Sequence, residues 1–237
     1  MQGIIYLVCE NFYRLFLPEK FERELISLPD GGTMGLDWDG GLPDPSVTPK
    51  QPYLLICPGL GGASDNLYSL ALLWKARKAG FKVATVLFRG AEGLRITSPK
   101  LSYGGSWKDV QVAIEFVAKR YVRDPKTQKP RTRLYAYGVS LGANILGLYL
   151  GRAADHAEDC LYGAMLYASP WNCTVGSQYF YNNFFGLYQK IIGLNLNSLI
   201  KSKQLPYFKS LMSEEDFTEL SEALATNKTG LDHIERH

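Results

Sequence analysis

Apolar and polar residues alternate along RELISLPDGGTMGLDW (Arg23 to Trp38) on both sides of Asp30-Gly31-Gly32. A period of two belongs to a half-buried strand, and Asp-Gly is a strong turn signal, so this segment predicts a β-hairpin. The stretch from Gly40 to Pro52 holds four prolines and no period, which marks a surface loop. The rhythm then changes. YLLIC (Tyr53 to Cys57), FKVATVLF (Phe81 to Phe88), Leu134 to Val139 and LYGAMLYAS (Leu161 to Ser169) are short, continuously apolar runs. Between them, Leu67 to Ala79, Trp107 to Tyr121 and the residues after Ser140 show helical spacing; Val110, Ile114 and Val117, for instance, share one side. Strand and helix alternate, and the strands are apolar on both faces. That pattern predicts an α/β fold with a mostly parallel sheet and helices on both faces.

Two flanking regions differ from this core. After Asn172 the alternation stops. Phe180, Phe184, Leu187, Tyr188, Ile191, Ile192, Leu196, Leu199 and Ile200 recur at intervals of three and four, which predicts one or more amphipathic helices. At the other end, Ile4, Val8, Phe12 and Leu15 would share one helical face, with Glu10 and Arg14 off it. Such a face fits either a membrane interface or packing on its own domain. The apolar run Ile4 to Val8 is too short for a signal-peptide core or a membrane span. The expected organisation is an N-terminal amphipathic segment over 1–22, an α/β core over 23–174 and a helical region over 175–237.

Composition changes this picture little. A chain of 237 residues with 46% hydrophobic and 21% charged residues can bury a substantial core and is neither disordered nor fibrous. The formal charge of +3, spread over scattered Lys and Arg, gives no reason to expect a nucleic-acid partner. Cys9, Cys57, Cys160 and Cys173 form no C-x-x-C pair and read as reduced thiols, as in an intracellular protein. Neither a metal nor a cofactor is expected.

Candidate chemistry centres on one serine. Gly138-Val139-Ser140-Leu141-Gly142 matches G-x-S-x-G. Chance alone produces that pattern about one time in ten in a chain of this size, so its context decides. An apolar strand precedes it and a helix-forming run, Ala143 to Leu150, follows. A strand-to-helix corner this tight strains the serine backbone, and side chains two positions away would collide, so glycine is expected at 138 and 142. The start of the helix aims its N–H groups and positive dipole end at the serine oxygen. The donors expected for a tetrahedral oxyanion are the Leu141 N–H and, from the loop Pro58-Gly59-Leu60-Gly61-Gly62, the Leu60 N–H.

These residues resemble the α/β-hydrolase superfamily, and within it the fourth AB-hydrolase subfamily of lipid esterases, phospholipases, acylglycerol lipases and medium-chain acyltransferases. The resemblance rests on Leu28 to Gly32 with Leu36-Asp37-Trp38, Pro58 to Gly62, Arg89-Gly90 with Thr97-Ser98-Pro99, Tyr103 and Asp109, Gly138 to Asn144, and Trp171-Asn172. It implies a serine hydrolase acting on lipid or acyl esters, with Ser140 as nucleophile, Leu60 and Leu141 as oxyanion donors, and a cap from residue 175 onward over an acyl pocket. Peripheral membrane contact is left open. Arg89 and Asp109 are expected to be a structural ion pair.

A serine nucleophile also needs an acid and a base, in the order Ser, Asp or Glu, His. Of the three histidines, His156 lies beyond the helix that starts at Ser140, roughly 15 Å from it at 1.5 Å per residue, and is expected at the surface. His233 and His237 follow no strand that would place them, and Glu214, Glu215 and Asp216 read as a solvated helix start. No triad acid or base is therefore identified. Loss of the histidine from such a triad costs about six decades of rate. The strand Leu161–Ser169 is also expected to form a bare sheet edge, where a further segment of chain or a protein partner would fit. Two readings follow: a hydrolase represented by an incomplete chain, or an inactive hydrolase-fold subunit pairing through that edge.

Overall fold

The computed structural model describes residues 20–182, 190, 193–194, 197–198 and 200–225. The N-terminal amphipathic pattern therefore lies outside the described residues up to position 19, as do Phe184, Leu187, Tyr188, Ile191, Ile192, Leu196, Leu199, His233 and His237.

The hairpin forms where the alternation places it. Strands β1 (Phe21–Ser27) and β2 (Thr33–Asp39) pair antiparallel in the register Phe21 to Asp39 and Ser27 to Thr33. Gly31 takes a positive φ of 78° at the turn, a conformation that costs glycine nothing. After the proline-rich loop, β3 (Tyr53–Cys57), helix α1 (Leu67–Lys78) and β4 (Lys82–Leu87) begin the alternating core. It continues through α2 (Trp107–Val117), a π-helical turn over Ala118–Val122, β5 (Leu134–Val139), α3 (Leu141–Arg152), α4 (Ala154–Cys160) and β6 (Gly163–Tyr167). Helices α5 (Cys173–Asn182) and α6 (Glu214–Ala225) follow.

The six strands form one sheet in the order β1-β2-β4-β3-β5-β6. β4, β3, β5 and β6 are mutually parallel, whereas β2 meets β4 antiparallel. Central strands read as continuous apolar runs because both faces are covered: Leu55, Ile56 and Cys57 of β3 and Val83, Ala84, Val86 and Leu87 of β4 are all fully buried. On one face, Ile56 and Val83 pack with Leu73 and Ala76 of α1. On the other, Leu55, Ala84 and Ala136 pack with Val110, Ile114, Ile145, Leu146 and Tyr149 from α2 and α3. Trp38, Tyr53 and Tyr121 close this larger core with edge-on and stacked ring contacts. The sequence-based expectation of an α/β fold with a mostly parallel sheet holds.

β6 departs from the expectation of a strand buried on both faces. Met165 and Tyr167 are 56% and 57% exposed. The strand is last in the sheet, so one edge meets no neighbour among the described residues.

The expected Arg89–Asp109 pair is present and larger than foreseen. Arg89 Nε and Nη2 donate to the two Asp109 carboxylate oxygens at 2.7 and 2.8 Å, while Nη1 donates to Asp30 at 2.9 Å and to Ser98 Oγ at 2.8 Å. One guanidinium thus ties the β1–β2 turn, the loop after β4 and helix α2 together. Burial pushes the Asp30 carboxyl up, but hydrogen bonds from Arg89, the Gly32 amide and Lys100 outweigh it and hold the group at about 2.

Candidate active site

Ser140 stands between the last residue of β5 and the first of α3, with φ 51° and ψ −117°. A non-glycine residue at positive φ carries about 1–3 kcal/mol of strain and persists only where its surroundings enforce it. Here they do. The Ser140 amide donates to the Tyr167 carbonyl of β6 at 2.9 Å, and the Ser140 carbonyl accepts from the Asn144 amide at 3.0 Å. Both glycines of the pattern are sterically required. A Cβ on Gly142 would overlap the Cys57 and Pro58 carbonyl oxygens at the end of β3, and one on Gly138 would overlap the Ala143 backbone.

The loop after β3 passes directly beside the serine. A Cβ on Gly59 would lie 3.2 Å from Ser140 Cβ and 3.8 Å from its Oγ. Gly59 N–H is held by the Tyr68 hydroxyl at 3.1 Å, and Gly62 N–H by the Gly59 carbonyl at 2.9 Å. Among the described residues, neither the Leu60 nor the Leu141 amide donates a hydrogen bond. Ser140 and Leu60 are exposed and Leu141 is half-buried. Cys57, whose carbonyl packs against Gly142, is fully buried, and burial pushes its thiol up to about 12, so it stays protonated.

Sequence reasoning missed three supports of this corner. Tyr68 gave no signal because its partner is nine residues away across a loop. Asn144 Nδ2 donates to the Pro170 carbonyl at 3.4 Å, joining α3 to the segment after β6. Ala168, with φ 52°, is a second strained residue at that end of β6, and the neighbouring Ser169 hydroxyl is buried with no hydrogen-bond partner.

His156 is not brought to Ser140. It sits on α4, past the far end of α3, with Nδ1 2.9 Å from the Tyr149 hydroxyl and Nε2 3.7 Å from Glu115. Its side chain is 27% exposed, so it is a part-buried packing residue rather than a free surface one. Glu214, Glu215 and Asp216 open α6 as an exposed acidic turn, with the Asp216 amide capped by Ser213 Oγ at 3.1 Å. A cavity of about 470 Å³ lined by Phe21, Arg23, Asp37, Ser64, Asp65 and Glu92 does not include Ser140. Among the described residues, no cluster of His, Cys, Asp and Glu could hold a metal ion, and no helix is long and apolar enough to cross a membrane.

The esterase Pf2001 of Pyrococcus furiosus superposes on the chain with a TM-score of 0.52 at 15% identity, covering 84% of this chain and 70% of that one. The fold is that of the α/β-hydrolases. Within it, Ser140 occupies the carboxyl end of a central parallel strand, where open α/β sheets place their ligands. No protein-family model matches the chain. Among curated proteins it is 30% identical over 220 residues to the embryogenesis-associated protein EMB8 of Picea glauca, covering 90% of this chain and 46% of that protein. It is 28% identical over 159 residues to human phospholipase ABHD3, covering 65% of this chain and 36% of the relative. Human monoacylglycerol lipase ABHD2 is 30% identical over 141 residues, covering 59% and 31%. The chain thus has the α/β-hydrolase fold and sequence similarity to proteins named phospholipase ABHD3 and monoacylglycerol lipase ABHD2, and it spans about half of the length of these relatives or less.

Proposed function

We propose that the chain carries the nucleophile and oxyanion donors of a serine hydrolase of the fourth AB-hydrolase subfamily, acting on acyl esters of lipids. The observation that carries this reading is the strained Ser140 backbone at φ 51°, tied to Tyr167 and facing the Gly59-Leu60 loop. Strain of this kind has no packing purpose at an exposed serine, and it presents Oγ where a carbonyl can reach it. Ser140 Oγ attacks the ester carbonyl, the developing oxyanion accepts from the Leu60 and Leu141 amides, and the alcohol leaves with a proton. Among the described residues, no histidine is brought to Ser140 to take its proton. His156 is committed to Tyr149 and lies past the far end of α3, about 18 Å of helix away.

The names of the relatives support lipid esters as substrates, since the curated ones include a phospholipase and a monoacylglycerol lipase. Exposed Trp171, Val175 and Tyr179, on and just before α5, give apolar surface, with the Trp171 ring beside Gly147 of α3, that suits an acyl chain over a small polar group. Hydrolysis of a monoacylglycerol, a phosphatidylcholine and a short-chain ester by the chain and by Ser140→Ala tests the reading. Ester cleavage that disappears in the variant, with an acyl-enzyme at Ser140, supports it. Equal rates for both proteins would overturn it.

A second reading is favoured by one observation, the exposed apolar face of β6 and its edge, which meets no neighbour among the described residues. On it, the chain is a non-catalytic subunit that another polypeptide covers along Gly163–Tyr167. A folded chain without esterase activity, whose β6 amides gain hydrogen-exchange protection in a complex, would select this alternative.

A further inference from the structure

At the opposite end of the sheet from Ser140, the segments leading into β5 and β6 enclose a cavity of about 410 Å³ whose lining includes Arg123, Arg131, Arg133, Asp159, Cys160 and Tyr162. The three guanidiniums have different partners. Arg123 is neutralised, with Nη2 2.7 Å from the Asp159 carboxylate and 2.6 Å from its carbonyl. Among the described residues, the Arg131 guanidinium hydrogen-bonds through Nη2, which donates to the Pro45 carbonyl at 3.3 Å, while its Nε is buried and has no hydrogen-bond partner. The Arg133 guanidinium carbon sits over the Tyr162 ring, 4.3 Å from its centroid, a contact that satisfies none of its N–H groups. Among the described residues neither Arg131 nor Arg133 has a carboxylate partner.

Among the described residues, no nearby acid hydrogen-bonds either of these two forks. Asp159 is taken by Arg123, and Asp124 accepts from the Thr127 and Lys126 amides and the Thr127 hydroxyl, which with a smaller contribution from the Arg131 charge hold its carboxyl below the usual range. Glu158 is the remaining carboxylate in the lining. A planar guanidinium fork is suited to an oxyanion that accepts two parallel hydrogen bonds. The space is right for a phosphoryl group carrying a small organic remainder.

We propose that this cavity is a binding site for a phosphate monoester, held by Arg131 and Arg133 at the amino ends of β5 and β6. Strand β5 separates it from Ser140 by six residues, about 20 Å, so its occupant does not touch the reacting ester. The site stands independently of the esterase reading. Its chemistry is shared by soluble phosphate compounds and by a lipid with a monoester headgroup.

Thermal unfolding of the whole chain tests it, with inorganic phosphate or glycerol phosphate against sodium chloride of equal ionic strength. Binding in millimolar phosphate raises the midpoint by about 2–4 °C over the chloride control. Arg133→Gln, at an exposed position whose loss threatens no core contact, and Arg131→Gln each remove most of that rise, whereas Lys78→Gln on α1 leaves it intact. Co-sedimentation with phosphatidylcholine vesicles, with and without phosphatidic acid, separates the two sources. Binding that needs phosphatidic acid and Arg133 assigns the site to a lipid headgroup; stabilisation by glycerol phosphate without vesicle binding assigns it to a soluble compound. No rise beyond chloride together with no vesicle binding, or a rise that both arginine variants retain, overturns the proposal.

Discussion

The two edges of the sheet are built from opposite materials. β1, at one edge, carries Glu22, Arg23 and Glu24, and each is engaged. Arg23 Nε donates to Asp37 at 2.7 Å, Glu22 accepts from the Leu42 amide at 2.9 Å, and Glu24 accepts from Trp38 Nε1 at 2.9 Å and from the Tyr121 hydroxyl at 2.8 Å. β6, at the other edge, reads Gly-Ala-Met-Leu-Tyr and has no charge at all. Charged side chains on an edge strand discourage a further strand from pairing, whereas an uncharged apolar edge invites one. Among the described residues, β1 is therefore a finished boundary of the sheet and β6 an open one. The difference bears on function because Tyr167 of the open strand holds the Ser140 amide.

Breaking the finished side should have the largest effect. Arg89 anchors the β1–β2 turn to α2, and Arg89→Met leaves the Asp109 carboxylate buried without its cation. The expected loss is about 3–5 kcal/mol in urea unfolding. The same cluster sets an acid limit. Asp30 is held at about 2 against an ordinary 3.8, so its contribution is complete above pH 3.8 and disappears as pH falls toward 2. Asp30→Asn should flatten stability across that window, and an unchanged acid limb would show that other carboxylates control it.

Next in size is the elbow that the open edge supports. Gly142→Ala places a methyl group against the Cys57 and Pro58 carbonyls, and a loss of about 2–3 kcal/mol is expected with a shift of the Ser140 corner. Glu24→Ala leaves Trp38 Nε1 and the Tyr121 hydroxyl short of a partner and should cost about 1–2 kcal/mol. Met165→Lys on β6 is the smallest change. If solvent bathes that face, stability stays within about 0.5 kcal/mol while self-association measured by light scattering falls. A loss several times larger would mean that a segment outside the described residues already covers β6.

How far the sequence revealed this molecule depended on the range of the interactions. The hairpin, the alternating core and the need for glycine at 138 and 142 are local consequences of period, turn chemistry and a tight corner, and they were legible. Arg89 with Asp109 was legible as a pair. Asp30, 59 residues away, and Ser98 were not legible as partners of the same guanidinium, because spacing carries no trace of a contact made only when strands assemble. Tyr68 holding Gly59 was hidden for the same reason. The exposed face of β6 could not be inferred either, since an apolar run looks identical whether one side or both sides are covered.

The central claim is that the Ser140 corner is an activated nucleophile facing the Leu60 and Leu141 amides. Fluorophosphonate labelling of the folded chain, with the modified residue mapped by mass spectrometry, tests it most directly. The account predicts a single adduct at Ser140, absent in Ser140→Ala and slowed about tenfold in Tyr68→Phe, which frees the Gly59 amide from its hydroxyl partner without removing the ring. Labelling spread over several serines, or a folded chain that keeps its adduct when Ser140 is replaced, would contradict it.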